Sequence, residues 1–164
     1  MKRLLWSGAL VLAAPPLSRA VDVSGEYENT GAAVSAAPAA AVPLRGLVGL
    51  EFDPALARRL FSGTESVVLI QQESSFNIQC RAADGSETWS GSWTRETGYA
   101  VEKDRVTLVL RAGKRYGDQS FLFTLSGVGD QKLLLVDVQR ITPTLLGPEL
   151  KPWGQFVFAR VAGK

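Results

Sequence analysis

The residues able to do chemistry are few. No histidine occurs in the 164 residues, which removes Ser-His-Asp and Cys-His catalysis together with the commonest transition-metal ligand. The one cysteine, Cys80, shares a period-two face with Phe76 and Ile78 and reads as a buried small hydrophobe, not a nucleophile. Two carboxylates held about 5 to 10 Å apart could hydrolyse a glycosidic bond. Glu26, Glu28, Glu87, Glu96, Glu102 and Asp104, however, are scattered over expected turns and outward faces. Asp84-Gly85-Ser86-Glu87 has the letters of a calcium loop without its ligand spacing, and a tight turn explains it better. These exclusions predict a protein that is not an enzyme and uses no metal and no cofactor.

Aromatic residues offer binding instead. Trp89 and Trp93 share a strand face with Gly91 between them, which leaves space beside two large rings. Together with Tyr27, Phe121 and Phe123 they are the residues expected to line an interior site for a small apolar molecule or lipid. Arg111, Lys114, Arg115 and Tyr116 form a basic hairpin tip of the kind that surface turns commonly carry, and one able to meet an anionic lipid, glycan or protein.

Such faces need strands to hold them, and the sequence is rich in strand patterns. Phe76, Ile78, Cys80 and Ala82 alternate with Asn77, Gln79 and Arg81, Asp84-Gly85 follows as a turn, and the tryptophan face comes next, so the pair reads as an antiparallel hairpin. Val106, Leu108 and Leu110, then Phe121, Phe123 and Leu125, then Leu133 to Val138, and finally Phe156 to Val161 continue the rhythm. With residues 22 to 28 and 66 to 72 this makes about eight strands, an all-β antiparallel meander expected to close as a barrel. Asp53-Pro54 caps one short helix before the second strand, running to Gly63. Residues 31 to 43, GAAVSAAPAAAVP, read as an Ala-rich loop.

The chain opens with Lys2 and Arg3, an apolar run from Leu4 to Ala14, a Pro15-Pro16 break and Ser18-Arg19-Ala20. That order is a secretory signal peptide, too short in its apolar run for the roughly 18 residues of a membrane span. A leader over 1–20 and a single domain over 21–164, exported to the periplasm or beyond without a transmembrane anchor, are therefore expected. Removing the leader takes three of the 18 basic residues and none of the 16 acidic ones, leaving a net charge of −1. Nucleic acid is not an expected partner at that charge. A lone cysteine forms no internal disulfide, so the hydrophobic core must carry the fold.

Gly25-Glu26-Tyr27 near the start and Arg160 near the end resemble the plan of the lipocalin and calycin superfamily. There a Gly-x-Trp on the first strand and a basic residue by the last pack together to close one end of an eight-stranded barrel; here tyrosine stands in the tryptophan position. The resemblance implies barrel closure by Gly25, Tyr27 and Arg160. The chain is also similar to small exported bacterial proteins of unassigned function that open with Gly-x-Tyr-x-Asn and end in Trp-x-x-Phe, here Tyr27, Asn29, Trp153 and Phe156. The expected function is an exported, non-enzymatic cell-envelope protein binding a small apolar molecule or lipid inside a barrel. The alternative is a protein-interaction module with a filled barrel, an envelope assembly factor or inhibitor acting through Arg115 or through Pro148 to Trp153.

Overall fold

The structure is a computed structural model that describes residues 21–34, 41–111 and 119–162. The expected leader, Lys114, Arg115 and Tyr116 lie outside the described residues, as does the middle of the Ala-rich segment. Among these residues nine strands form one antiparallel sheet: β1 (Gly25–Ala33), β2 (Ser66–Gln71), β3 (Ser75–Arg81), β4 (Glu87–Thr94), β5 (Tyr99–Val101), β6 (Val106–Arg111), β7 (Ser120–Val128), β8 (Leu133–Thr144) and β9 (Gly147–Arg160). Two short helices, α1 (Leu44–Val48) and α2 (Pro54–Leu60), stand between β1 and β2. The strand order is β4-β3-β2-β1-β9-β8-β7-β6-β5, so the first strand lies beside the last and every other neighbour follows in sequence.

Alternation builds the core. Phe76, Ile78 and Cys80 on β3, Val106, Leu108 and Leu110 on β6, Phe121, Phe123 and Leu125 on β7, and Phe156 and Phe158 on β9 are all buried on one face of the sheet. The expected β3–β4 hairpin is present, with Ile78 opposite Gly91 and Cys80 opposite Trp89. Sheet and helices share a single hydrophobic cluster, which Leu44, Leu47, Val48 and Leu50 join from α1 and the residues after it.

Several boundaries differ from the sequence reading. The ninth strand is β5, three residues long and too short to leave an alternation pattern. β1 runs to Ala33 instead of stopping near residue 28, because Gly31, Ala32 and Ala33 pair with Phe158, Val157 and Phe156 of β9. The Ala-rich segment is therefore strand at its start, and at its end Val42 is buried. β8 and β9 extend as one long hairpin to Thr144 and Gly147 through Pro143, Pro148 and Pro152. Proline ends most strands by removing a donor, but a two-stranded ribbon tolerates it at positions whose N–H faces no neighbour.

α2 forms as the sequence dictates. The Asp53 carboxylate accepts from the N–H groups of Ala55 and Leu56 at 2.8 and 2.9 Å, with Pro54 in the first turn. α1 has Pro43 at its N-cap, which offers no side-chain acceptor. Asn29 of β1 supplies one, taking the Arg45 N–H on Oδ1 at 2.8 Å while its own amide donates to the Thr64 carbonyl at 2.9 Å. One buried asparagine thus ties α1 and the entry to β2 onto the first strand.

Gly31 is where a glycine is packed most tightly among the described residues, since a Cβ there would lie 2.3 Å from the Phe158 ring edge. Gly31→Ala is expected to lower unfolding free energy by about 1 to 3 kcal/mol, the usual cost of overpacking. Gly63→Ala, with nothing within 4 Å of the added carbon, should change it by less than about 0.5 kcal/mol. Urea denaturation of the two variants checks both.

Candidate functional site

The two edges of the sheet define the most distinctive region. All eight pairings are antiparallel, so β4 and β5, at opposite ends of the order, point the same way. Residues Arg95 to Gly98 alone connect them, and strands lying side by side in parallel need a crossover of roughly a dozen residues or more. β5 therefore continues onward from β4 and cannot fold back beside it. No ladder joins the two edges among the described residues.

One half of this seam is bridged by side chains. The Tyr99 hydroxyl donates to the Gln72 carbonyl at 2.7 Å, and its ring lies 5.8 Å from that of Phe76. The other half is an open cleft of about 680 Å³ between Ser92 and Trp93 of β4 and Val109 to Arg111 of β6. Val48, Leu50 and Leu110, each less than a tenth exposed, form its floor. Arg95, Glu96 and Arg111 stand exposed on its rim, which among the described residues therefore carries one more positive than negative charge.

Leu50 holds an unusual conformation at this floor. α1 ends with Glu51 N–H donating to the Gly46 carbonyl and Leu50 N–H to the Leu47 carbonyl, the Schellman pattern whose left-handed position is normally glycine. Here that position is Leu50, at φ 54°. A left-handed leucine costs about 1 to 2 kcal/mol, which burial of its side chain offsets. The conformation keeps an apolar side chain on the cleft floor.

Beside the cleft, the Arg45 guanidinium is sandwiched, 4.2 Å from the ring centre of Phe61 and 4.0 Å from that of Trp89. Burial pulls it below the usual arginine range. The Trp89 and Trp93 rings are 6.5 Å apart and both lean over Gly91, where a Cβ would meet them at 2.5 and 2.8 Å. The space that glycine leaves is filled by the two indoles themselves.

Of the five residues expected to bind a ligand, Trp93 alone lines the cleft. Trp89 stacks on Arg45, and Tyr27, Phe121 and Phe123 are core side chains at most 2% exposed. Gly25, Tyr27 and Arg160 do come together: Tyr27 pairs with Arg160 across β1 and β9, and a Cβ on Gly25 would lie 2.7 Å from the Arg160 guanidinium. Arg160 donates to the Ser24 carbonyl at 2.8 Å, and the Tyr27 hydroxyl donates to the Val23 carbonyl at 3.0 Å. At the other end, Trp153 packs 4.4 Å from Phe52 and 5.8 Å from Phe156, its Trp-x-x-Phe partner.

Among the carboxylates, Glu102 pairs with Arg105 in solvent and Glu26 accepts from the Ser66 hydroxyl. No three His, Cys, Asp or Glu side chains gather as metal ligands among the described residues. The sequence reading missed α1, and with it Arg45, Val48 and Leu50. Their only signal was Leu44, Leu47 and Val48 at helical spacing behind Pro43. No protein-family model, curated protein or solved structure matches the chain.

Cys80 is buried beneath this region. Burial pushes its thiol from an ordinary 9.0 up to about 11, with the Arg45 charge pulling the other way. The folded state holds the proton more tightly than the unfolded chain, so this contribution to stability is whole below pH 9 and lost as pH rises toward 11. Stability measured at intervals across that range should fall by about 2 to 3 kcal/mol more in the wild type than in Cys80→Ala. Parallel curves would contradict the assignment.

Proposed function

We propose that the protein is an exported, non-enzymatic binding protein for a small amphiphile, an apolar chain with an acidic head, held in the seam cleft. The observation that carries this reading is the cleft itself. Its 680 Å³ falls in the range of small-molecule sites, about 300 to 1,000 Å³. Trp93, Val48, Leu50 and Leu110 offer apolar contact, and Arg95 and Arg111 offer charge to an acid. The leader pattern in residues 1–20 supports export.

The same reading treats the sheet as a lipocalin-like barrel whose closing contact is Tyr99 on Phe76 and Gln72 instead of a ladder. An interior site is less favoured, because Tyr27, Phe121 and Phe123 are packed into the core with the α1 side chains. The ligand thus enters from the side, between β4 and β6, and not through the end of the barrel.

Dodecanoate, used below its micellar concentration at tenfold over its dissociation constant, is expected to raise the melting temperature by about 3 to 6 °C and to change tryptophan fluorescence. Dodecanol, without the charge, should bind at least about tenfold more weakly, as should dodecanoate to Trp93→Ala or Arg111→Gln, each loss being about 1.4 kcal/mol or more. Absence of a thermal shift, or equal affinity in Trp93→Ala, would refute the site.

A further inference from the structure

The β8–β9 hairpin outruns its neighbour. β7 begins at Ser120, opposite Ile141, so among the described residues the ribbon from Thr142 to Glu149 has no ladder partner outside its own hairpin. At its tip Leu145 and Leu146 are fully exposed. Gly147 takes the left-handed position of the turn at φ 118°, and the Thr144 hydroxyl donates to the Gly147 carbonyl. The turn's geometry therefore rests on Thr144 and Gly147, and nothing in it requires leucine at positions 145 and 146.

Register sorts the rest of the ribbon. Ile141 opposite Leu150 and Pro143 opposite Pro148 share one face, while Arg140 opposite Lys151 and Thr142 opposite Glu149 share the other. The finger is amphipathic with an apolar end. Two observations narrow what it meets. Pro143 and Pro148 lack the N–H that a further strand would need, which disfavours edge-to-edge pairing with another chain. Arg140 and Lys151 are directly opposite, an arrangement that like charges disfavour within a sheet; Glu149 reaches Lys151 at 3.3 Å and leaves a net positive charge behind the leucines.

We propose that this finger docks the protein on an anionic bilayer, with Leu145 and Leu146 entering the interface and Arg140 and Lys151 facing the headgroups. Apolar insertion and attraction of basic residues to acidic lipid are the two terms that together hold peripheral proteins on membranes. The inference is independent of the cleft reading.

Because Cys80 is buried, Leu146→Cys in the full chain can be labelled at that one site with an environment-sensitive fluorophore. Vesicles of phosphatidylcholine with about a third phosphatidylserine should shift its emission to the blue, at an affinity that falls at least about tenfold between low and physiological salt. Phosphatidylcholine alone should bind at least tenfold more weakly, and Arg140→Gln with Lys151→Gln should lose a similar factor on the mixed vesicles. The same probe at Lys103→Cys should not respond. A folded, labelled protein with no shift at position 146 on acidic vesicles would overturn the proposal. So would a shift that arises only on self-association or with a protein partner, or one that the paired glutamine substitutions leave unchanged.

Discussion

The direction of two strands governs much of this molecule. Eight antiparallel pairings bring β4 and β5 to the two edges pointing the same way, and the four residues between them cannot loop back to set the pair side by side. The edges therefore meet head to tail. Tyr99 bridges one half of the gap to Phe76 and Gln72, and the other half opens between β4 and β6. Where the cleft lies follows from topology, and what it presents follows from the few residues that face it.

The interior is filled by packed side chains. Buried rings and aliphatic side chains from the strands meet the α1 residues in one cluster, and Asn29 fixes α1 there through hydrogen bonds to Arg45 and Thr64. Leaving such buried groups unpaired would cost about 1 to 3 kcal/mol each, so this small polar network determines where Val48 and Leu50 come to rest. The Arg45 stack on Phe61 and Trp89 adds a second tether, of a kind worth about 0.5 to 2 kcal/mol. Positioning of the cleft floor thus depends on contacts made by the first strand.

Alternation made most of the sheet legible in the sequence. Phe76, Ile78 and Cys80, or Phe121, Phe123 and Leu125, repeat with period two and lie on the buried face. Gly25, Tyr27 and Arg160 were readable as a group that meets at one end of the sheet. β5 and α1 were not legible, because three and five residues carry too little period to separate from loop. Nor was the extension of β8 and β9, since proline usually marks a strand end and here lies in a free ribbon. Gly91 misled differently: a missing side chain suggested empty space, whereas the neighbouring indoles lean into it. The cleft is the least legible feature because it arises from a connection too short to close a sheet, and no residue type records that.

Hydrogen exchange at the β4 edge tests this account most directly. Amides of β4 that point away from β3 have no ladder partner and should exchange within the time of a mobile loop, while those of β7 and β8, paired on both sides, stay protected. Adding dodecanoate should slow exchange at Ser92 to Thr94 and around Val109 to Arg111 and leave the opposite side of the sheet unchanged. Strong protection of the outward β4 amides in the free protein, or no change on adding the amphiphile, would contradict an open seam that holds a ligand.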